Sequence, residues 1–123
     1  MAKILVADDE PAVLDVVKEA LADHEVATAA NGKEAVSKAK ADPPDLIILD
    51  IQMPVMDGLA ALKAIKRDPQ LRNIPVLMLT GAGGMGTIED SFEARADDYI
   101  VKPFSLKVLK ARIEELLKKK KPA

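Results

Sequence analysis

The sequence contains no cysteine, which excludes disulfides, thiolate metal sites and cysteine nucleophiles. A single histidine excludes metal sites that need several imidazole ligands. Aromatic residues make up only 2% of the chain, so the core must be aliphatic and base-stacking nucleic-acid modules are disfavoured. No apolar run approaches the roughly 18 residues of a membrane span, and we expect a soluble cytoplasmic protein.

The 123 residues suit one globular domain, with 49% hydrophobic and 31% charged residues. The net charge of -2 conceals an asymmetry, because residues 118–121 are all lysine. Residues 1–117 hold 14 basic and 20 acidic side chains, a net charge of -6. We therefore predict one domain over residues 1–117 and a lysine-rich tail at 118–123, where the lysines form a solvated helix end.

Short β-branched runs alternate five times with helical patterns. The run at 46–49 is apolar on both faces, which is typical of a strand buried between two helix layers. Pro11, Asn31 and Ser105 are predicted helix-start residues. Five such repeats in a short chain predict an α/β fold with a parallel sheet covered on both faces. The predicted strands are Ile4–Ala7, Glu25–Ala29, Leu46–Asp50, Ile74–Thr80 and Asp98–Val101, and the predicted helices are Pro11–Ala22, Gly32–Ala41, Gly58–Arg67, Thr87–Arg95 and Ser105–Lys119.

Acidic side chains follow two of the predicted strands. Asp8 and Asp9 come after the first strand, and Asp50 ends the third. Ligands of parallel sheets bind at the carboxyl ends of the strands, so these three carboxylates should converge. They repel one another unless a cation lies among them, and oxygen ligands favour Mg²⁺. The alternative is that each acid merely caps the following helix.

A lysine and a hydroxyl reach the same edge of the predicted sheet. Lys102 follows the fifth strand and Thr80 ends the fourth. A carboxylate surrounded by Mg²⁺, an ammonium and a hydroxyl is typical of a phosphoryl-transfer site. Asp50 is the predicted nucleophile, because it ends the most buried strand and would form an aspartyl phosphate.

These motifs together resemble the receiver domains of bacterial two-component response regulators, in particular the single-domain chemotaxis type. The resemblance covers essentially the whole chain. It implies a flavodoxin-like α/β/α sandwich with five helices and a five-stranded parallel sheet in the order 2-1-3-4-5. Its motifs are Asp8-Asp9, Asp50 followed by Gln52-Met53-Pro54-Val55-Met56-Asp57-Gly58, Thr80, and Asp98-Tyr99-Ile100-Val101-Lys102-Pro103-Phe104.

The resemblance implies that Asp50 accepts a phosphoryl group in a Mg²⁺-dependent reaction. The donor would be a sensor histidine kinase or a phosphotransfer protein. The Mg²⁺ ligands would be the carboxylates of Asp9 and Asp50 and the backbone carbonyl of Gln52, with Asp8 contributing through water. Such a protein is a signalling switch that catalyses only its own phosphorylation and dephosphorylation, and not a metabolic enzyme.

The resemblance also implies a switch. Thr80 and Lys102 would contact the phosphoryl oxygens, and Thr80 and Tyr99 would move together on phosphorylation. A downstream protein would bind the face formed by the fourth and fifth helices and the fifth strand. Neither direct nucleic-acid binding nor membrane binding is expected, and the protein should be a monomer or a weak dimer.

Two features depart from the family pattern. Glycines fill much of the segment Gly81–Gly86, where the family has small residues such as alanine. The glycines match the dinucleotide fingerprint G-x-G-x-x-G, but they follow the fourth strand and not the first, so we interpret them as a mobile loop. Arg95 stands where the family usually has glycine, and a left-handed backbone there would cost roughly 1 kcal/mol.

Three other functions compete with the switch. A small-molecule phosphatase of the haloacid dehalogenase type would need an aspartate where Gln52 stands. A flavin or nucleotide carrier is disfavoured by the scarcity of aromatic residues and by the acidic site. A degenerate receiver that signals without phosphate would not need the acidic residues and the lysine that are all present here.

Overall fold

The computed structural model describes residues 2–81, 95–102 and 104–118. Its strands form one sheet in the order β2-β1-β3-β4-β5, and each neighbouring pair is parallel. This arrangement confirms the predicted flavodoxin-like topology. The strands are β1 (Lys3–Ala7), β2 (Glu25–Ala29), β3 (Leu46–Asp50), β4 (Val76–Thr80) and β5 (Asp98–Val101).

Four helices are described, and they cover both faces of the sheet. They are α1 (Pro11–Ala20), α2 (Gly32–Ala41), α3 (Gly58–Arg67) and α4 (Leu106–Lys118). Helix α4 corresponds to the fifth predicted helix. The predicted fourth helix and the glycine segment fall within residues 82–94, outside the described residues, except for their outermost residues Gly81 and Arg95.

The predicted boundaries differ from the structure at a few ends. Strand β4 begins at Val76, because Ile74 is still in a turn, where its N–H bonds the Leu71 carbonyl, and Pro75 has no N–H to donate. Helix α1 ends at Ala20, two residues before its predicted end at Ala22. Helix α4 includes Lys118, the first residue of the predicted tail, and residues 119–123 lie outside the described residues.

Three predicted helix starts are confirmed. Pro11 is the first residue of α1. The Asn31 side chain accepts a hydrogen bond from the Glu34 N–H at 2.8 Å, and the Ser105 hydroxyl accepts from the N–H groups at the start of α4. Each cap satisfies an N–H that the first helical turn leaves unpaired.

The core consists of two aliphatic layers, one on each face of the sheet. Strand β3 contributes Ile47 and Leu49 to the layer beneath α2 and α3, and Leu46 and Ile48 to the layer beneath α1 and α4. All four side chains are fully buried, as predicted for a central strand. Among the described helices, none is both long and apolar enough to cross a membrane.

Candidate functional site

The carboxyl ends of the four adjacent strands β1, β3, β4 and β5 bring the predicted site residues to one edge of the sheet. Asp8 follows β1, Asp50 ends β3, Thr80 ends β4 and Lys102 follows β5. Asp8, Asp50 and Thr80 are all buried, at 0%, 5% and 2% exposure. Polar side chains that are buried this deeply need hydrogen-bond or charge partners, because an unpaired polar group in the interior is energetically costly.

Lys102 is the central cation of this group. Its ammonium nitrogen lies 2.8 Å from Asp8 Oδ2 and 3.4 Å from Asp50 Oδ2. The second oxygen of Asp8 accepts a hydrogen bond from the Glu10 N–H at 2.9 Å. Of the three carboxylates predicted to converge, Asp8 and Asp50 therefore share the ammonium of Lys102, and these buried carboxylates are paired with charge or with a donor.

The surroundings of Asp50 disfavour its negative charge and raise its pKa. Burial, followed by the negative charge of Asp8, raises the pKa of Asp50 from 3.8 to about 6, although Lys102 opposes the rise. Burial alone would lower the pKa of Lys102, but its hydrogen bond to Asp8 and the charges of both carboxylates outweigh this, and the pKa is raised. Ionised Asp50 thus lies where additional positive charge would be strongly favourable.

Three consecutive acids form the side of the site next to β1. Carboxylate oxygens of Asp8, Asp9 and Glu10 lie within 4.8 Å of one another. Oxygen donors of this kind are the ligands that hard divalent cations prefer, so the residues present fit Mg²⁺. Glu10 was not among the predicted site residues. The run of three acids after the strand was the signal for it, and its carboxylate also lies 3.8 Å from Lys102 Nζ.

Thr80 and Tyr99 occupy neighbouring strands. The Thr80 hydroxyl donates a long hydrogen bond of 3.4 Å to the Gly81 carbonyl, while the Thr80 carbonyl accepts from the Lys102 N–H at 2.6 Å. Tyr99 is half-buried and packs against the core layer beneath α2 and α3. It also lines a surface cavity of about 390 Å³ with Phe104 and Arg112.

The loop between β3 and α3 holds Asp50 through close backbone contacts. A Cβ at Gly58 would overlap the backbone carbonyl of Asp50, so a residue with a side chain cannot fit there without displacing the strand. The Gly32 N–H donates to the Met56 carbonyl at 2.8 Å, and a Cβ at Gly32 would lie 2.5 Å from that same oxygen. The Asp57 side chain accepts a hydrogen bond from the Ala60 N–H and so caps the start of α3.

A strained residue lies in the middle of this loop. Val55 has φ 67°, and the N–H of Met56 bonds the carbonyl of Pro54 across it at 2.7 Å. This hydrogen bond between residues two apart, with a positive φ at the centre, defines a γ-turn, which is strained for a β-branched residue. The side chain of Val55 is 79% exposed. No feature of the sequence pattern predicted this conformation.

A cavity of about 520 Å³ opens beside Lys102. Helix α1 and the chain after β5 form its walls, and apolar atoms dominate the lining. It places an apolar surface directly against the charged site. The lining residues are Glu10, Ala12, Val13, Val16, Gly81, Lys102 and Phe104.

Comparison with known proteins agrees with this geometry. The family model described as "Response regulator receiver domain" matches residues 4–114. The curated "Probable transcriptional regulator ycf27" of Cyanophora paradoxa is 40% identical over 119 residues, which are 95% of this chain and 48% of that protein.

Two solved structures show the same fold. The signal receiver domain of a signal transduction histidine kinase from Syntrophus aciditrophicus has a TM-score of 0.92 and 36% identity, covering 100% of this chain and 95% of that one. The chemotaxis protein CheY4 of Vibrio cholerae has a TM-score of 0.88 and 36% identity, covering 94% of this chain and 98% of that one.

The chain therefore belongs to the receiver domains of response regulators, the family that the sequence motifs indicated. Members of this family are phosphorylation-dependent signalling switches and not metabolic enzymes. The chain spans about half the length of the curated relatives it matches. Several of those relatives are named as transcriptional regulators, so the prediction that direct nucleic-acid binding is absent concerns the residues of this chain alone.

Proposed function

We propose that Asp50 is the phosphoacceptor of this receiver domain. The observation that carries the proposal is the position of its carboxylate, which is buried at the end of β3 with the Lys102 ammonium 3.4 Å from Oδ2. Burial and the negative charge of Asp8 also raise the pKa of this carboxyl group to about 6. A perturbed carboxylate beside a fixed cation is typical of a reactive group.

The proposed donor is the phosphohistidine of a sensor histidine kinase or a phosphotransfer protein. A carboxylate oxygen of Asp50 attacks phosphorus, the phosphorus–nitrogen bond breaks, and its electron pair returns to the imidazole nitrogen. Lys102 stabilises the charge on the phosphoryl oxygens. Only ionised Asp50 can attack, and a cation bound beside it would favour the ionised form.

Mg²⁺ is the proposed cofactor, held by Asp8, Asp9, Asp50 and the backbone carbonyl of Gln52. When bound, the ion would neutralise negative charge on the phosphoryl oxygens and on the clustered carboxylates. Glu10 is a further carboxylate of the same cluster. The three acids that follow β1 support this assignment through their mutual proximity and their all-oxygen chemistry.

Thr80 and Tyr99 are the proposed switch pair. The long hydrogen bond from Thr80 to Gly81 can be exchanged for one to a phosphoryl oxygen at little cost. The response would reach a protein partner through the face formed by β5, α4 and the predicted fourth helix. We propose that the chain acts in the cytoplasm as a monomer or weak dimer, and that any DNA contact is made by a separate effector module.

The assignment of Asp50 is tested with a small phosphodonor. Acetyl phosphate and Mg²⁺ should add one acid-labile phosphoryl group, detected by intact mass, and Asp50→Asn should abolish it. Asp57→Asn is the matched control, because Asp57 is an exposed carboxylate nearby and asparagine preserves its helix cap. Labelling that persists in Asp50→Asn would place the acceptor elsewhere.

The metal assignment is tested by thermal unfolding. Mg²⁺ should raise the melting temperature of the wild type by binding the native state preferentially. Asp9→Ala should lose most of this increase, whereas Asp23→Ala, which changes an exposed acid outside the site, should retain it. Equal increases in the wild type and Asp9→Ala would contradict the assignment.

A further inference from the structure

Strand β2 is an outer strand of the described sheet, and the backbone groups of two of its five residues point away from β1. The Glu25 N–H donates to the Ala2 carbonyl, and the Ala29 carbonyl accepts from the Asp8 N–H, so these residues direct their backbone groups towards β1. Because backbone direction alternates along a strand, Val26 and Thr28 direct theirs outward. We call these outward groups of Val26 and Thr28 the β2 edge.

Two side chains of α2 cover part of this region. The Lys38 ammonium donates to the outward carbonyl of Thr28, and Glu34 accepts from the Ala30 N–H at 3.5 Å, just beyond the strand. Glu34 and Lys38 also form an ion pair of 3.1 Å, one helical turn apart. Residues 26–30 themselves carry no charge, and Glu34 and Lys38 of α2 place charge beside them.

We propose that the β2 edge is a self-association surface for a second copy of this chain, and that the Glu34–Lys38 pair keeps it closed. Unpaired strand edges template the addition of another strand, and natural proteins protect them with charged side chains, especially lysine. Here the Lys38 ammonium donates a hydrogen bond to the Thr28 carbonyl, which is a backbone acceptor of the β2 edge. The proposal is independent of the function of Asp50.

Symmetry explains why a second copy fits. Two β2 strands in antiparallel orientation, related by a two-fold axis at Ala27, would set each Val26 opposite Thr28 of the second copy. Each such pair exchanges two hydrogen bonds, which gives four in total. In each copy the Lys38 ammonium already bonds the Thr28 carbonyl, so two of these four intermolecular hydrogen bonds are blocked. The same patch on both partners gives a closed dimer.

The surface beside the strand leaves room for an added strand. On the α2 side, a cavity of about 300 Å³ is lined by Leu5, Ala27 and Ala41 among other residues. Ala27 is exposed within β2, between Val26 and Thr28, whose backbone groups face outward. Side chains of an added strand could therefore be accommodated without displacing the core.

The experiment compares Lys38→Met with Lys40→Met. Methionine keeps the length of the side chain and removes its charge, and Lys40 is an exposed lysine of the same helix. Sedimentation velocity from micromolar to millimolar concentration should show tighter self-association of Lys38→Met than of the wild type. Freeing two hydrogen bonds per dimer predicts a change of about 10- to 100-fold in the dissociation constant. Lys40→Met should match the wild type.

Amide exchange identifies the surface. The amides of Val26 and Thr28 should become protected in the Lys38→Met dimer, and adding Thr28→Pro should restore the monomer, because proline removes an outward donor that β1 does not use. The proposal is overturned if Lys38→Met stays as monomeric as the wild type, if Lys40→Met associates equally, or if both amides remain unprotected in the dimer. Asp50→Asn should leave these results unchanged.

Discussion

Replacing the buried carboxylate of Asp50, the proposed phosphoacceptor, should stabilise the metal-free protein. At neutral pH Asp50 is ionised beside Asp8 in the interior, and its charge opposes folding. Asparagine keeps the shape of the side chain and removes the charge. In the presence of a chelator at pH 7, we therefore expect Asp50→Asn to have a higher free energy of unfolding than the wild type.

The pKa of Asp50 sets the size of this effect. A rise from 3.8 to about 6 corresponds to at most about 3 kcal/mol, at 1.36 kcal/mol for each pKa unit. The attraction to Lys102 is already included in this net rise, and solvent screening at the mouth of the site reduces the expected gain to about 1–2 kcal/mol. For a domain of this size, 1 kcal/mol shifts the melting temperature by roughly 4 °C.

The pH dependence separates charge from other effects of the substitution. Because the folded pKa of Asp50 is raised, the folded state binds this proton more tightly than the unfolded chain does. The cost of ionisation is absent below pH 3.8, grows between pH 3.8 and 6, and is complete above pH 6. Urea unfolding of both proteins should therefore show a difference in stability at pH 7 that shrinks as the pH approaches 4.

Mg²⁺ provides the control. The ion should stabilise the wild type more than Asp50→Asn, because only the wild type retains the carboxylate of Asp50 as a ligand. In Mg²⁺, the excess in unfolding free energy of Asp50→Asn over the wild type should therefore be smaller than in chelator, or should reverse. A lower stability of Asp50→Asn in chelator at pH 7 would refute the reasoning, since it would show that Lys102 more than offsets burial and the charge of Asp8.

Three backbone predictions follow from the same structure. Val55→Gly should raise the free energy of unfolding in urea by about 1 kcal/mol, because φ 67° strains a β-branched residue; a lower value would mean that the γ-turn carries no net strain. The sequence predicted strain at Arg95 if its backbone were left-handed, and φ 72° confirms that backbone. Arg95→Gly should therefore gain roughly 1 kcal/mol by the same assay, and a loss would point to a compensating contact of its side chain. Gly58→Ala should lose about 3 kcal/mol in thermal unfolding, because its Cβ would overlap the Asp50 carbonyl, and an unchanged melting temperature would show that the loop can shift.

The sheet and the central site could be predicted because both follow from simple regularities. Parallel strands align their carboxyl ends, so Asp8, Asp50 and Lys102 had to converge once the strands were placed. Burial of β3 followed from its uninterrupted apolar run. These inferences need only residue type and order along the chain, whereas the strand order 2-1-3-4-5 was implied by the resemblance to receiver domains.

Other features depend on three-dimensional detail that no periodicity encodes. The positive φ of Val55 contradicts the ordinary preference of valine, and the surrounding hydrogen bonds impose it. The approach of Glu10 to Lys102 depends on side-chain conformation at the start of α1. The bond from Lys38 to Thr28 requires the relative placement of α2 and β2, which the sequence pattern does not specify.

The backbone on the α2 side of Asp50 is held by closer contacts than the Thr80 hydroxyl on the β4 side. Towards α2, the loop is fixed by the Gly32 hydrogen bond and by the close approach of Gly58 to the strand. Towards β4, the Thr80 hydroxyl is held by one long hydrogen bond. If a phosphoryl group is added at Asp50, we therefore expect β4 and β5 to respond before α2 and β2 do.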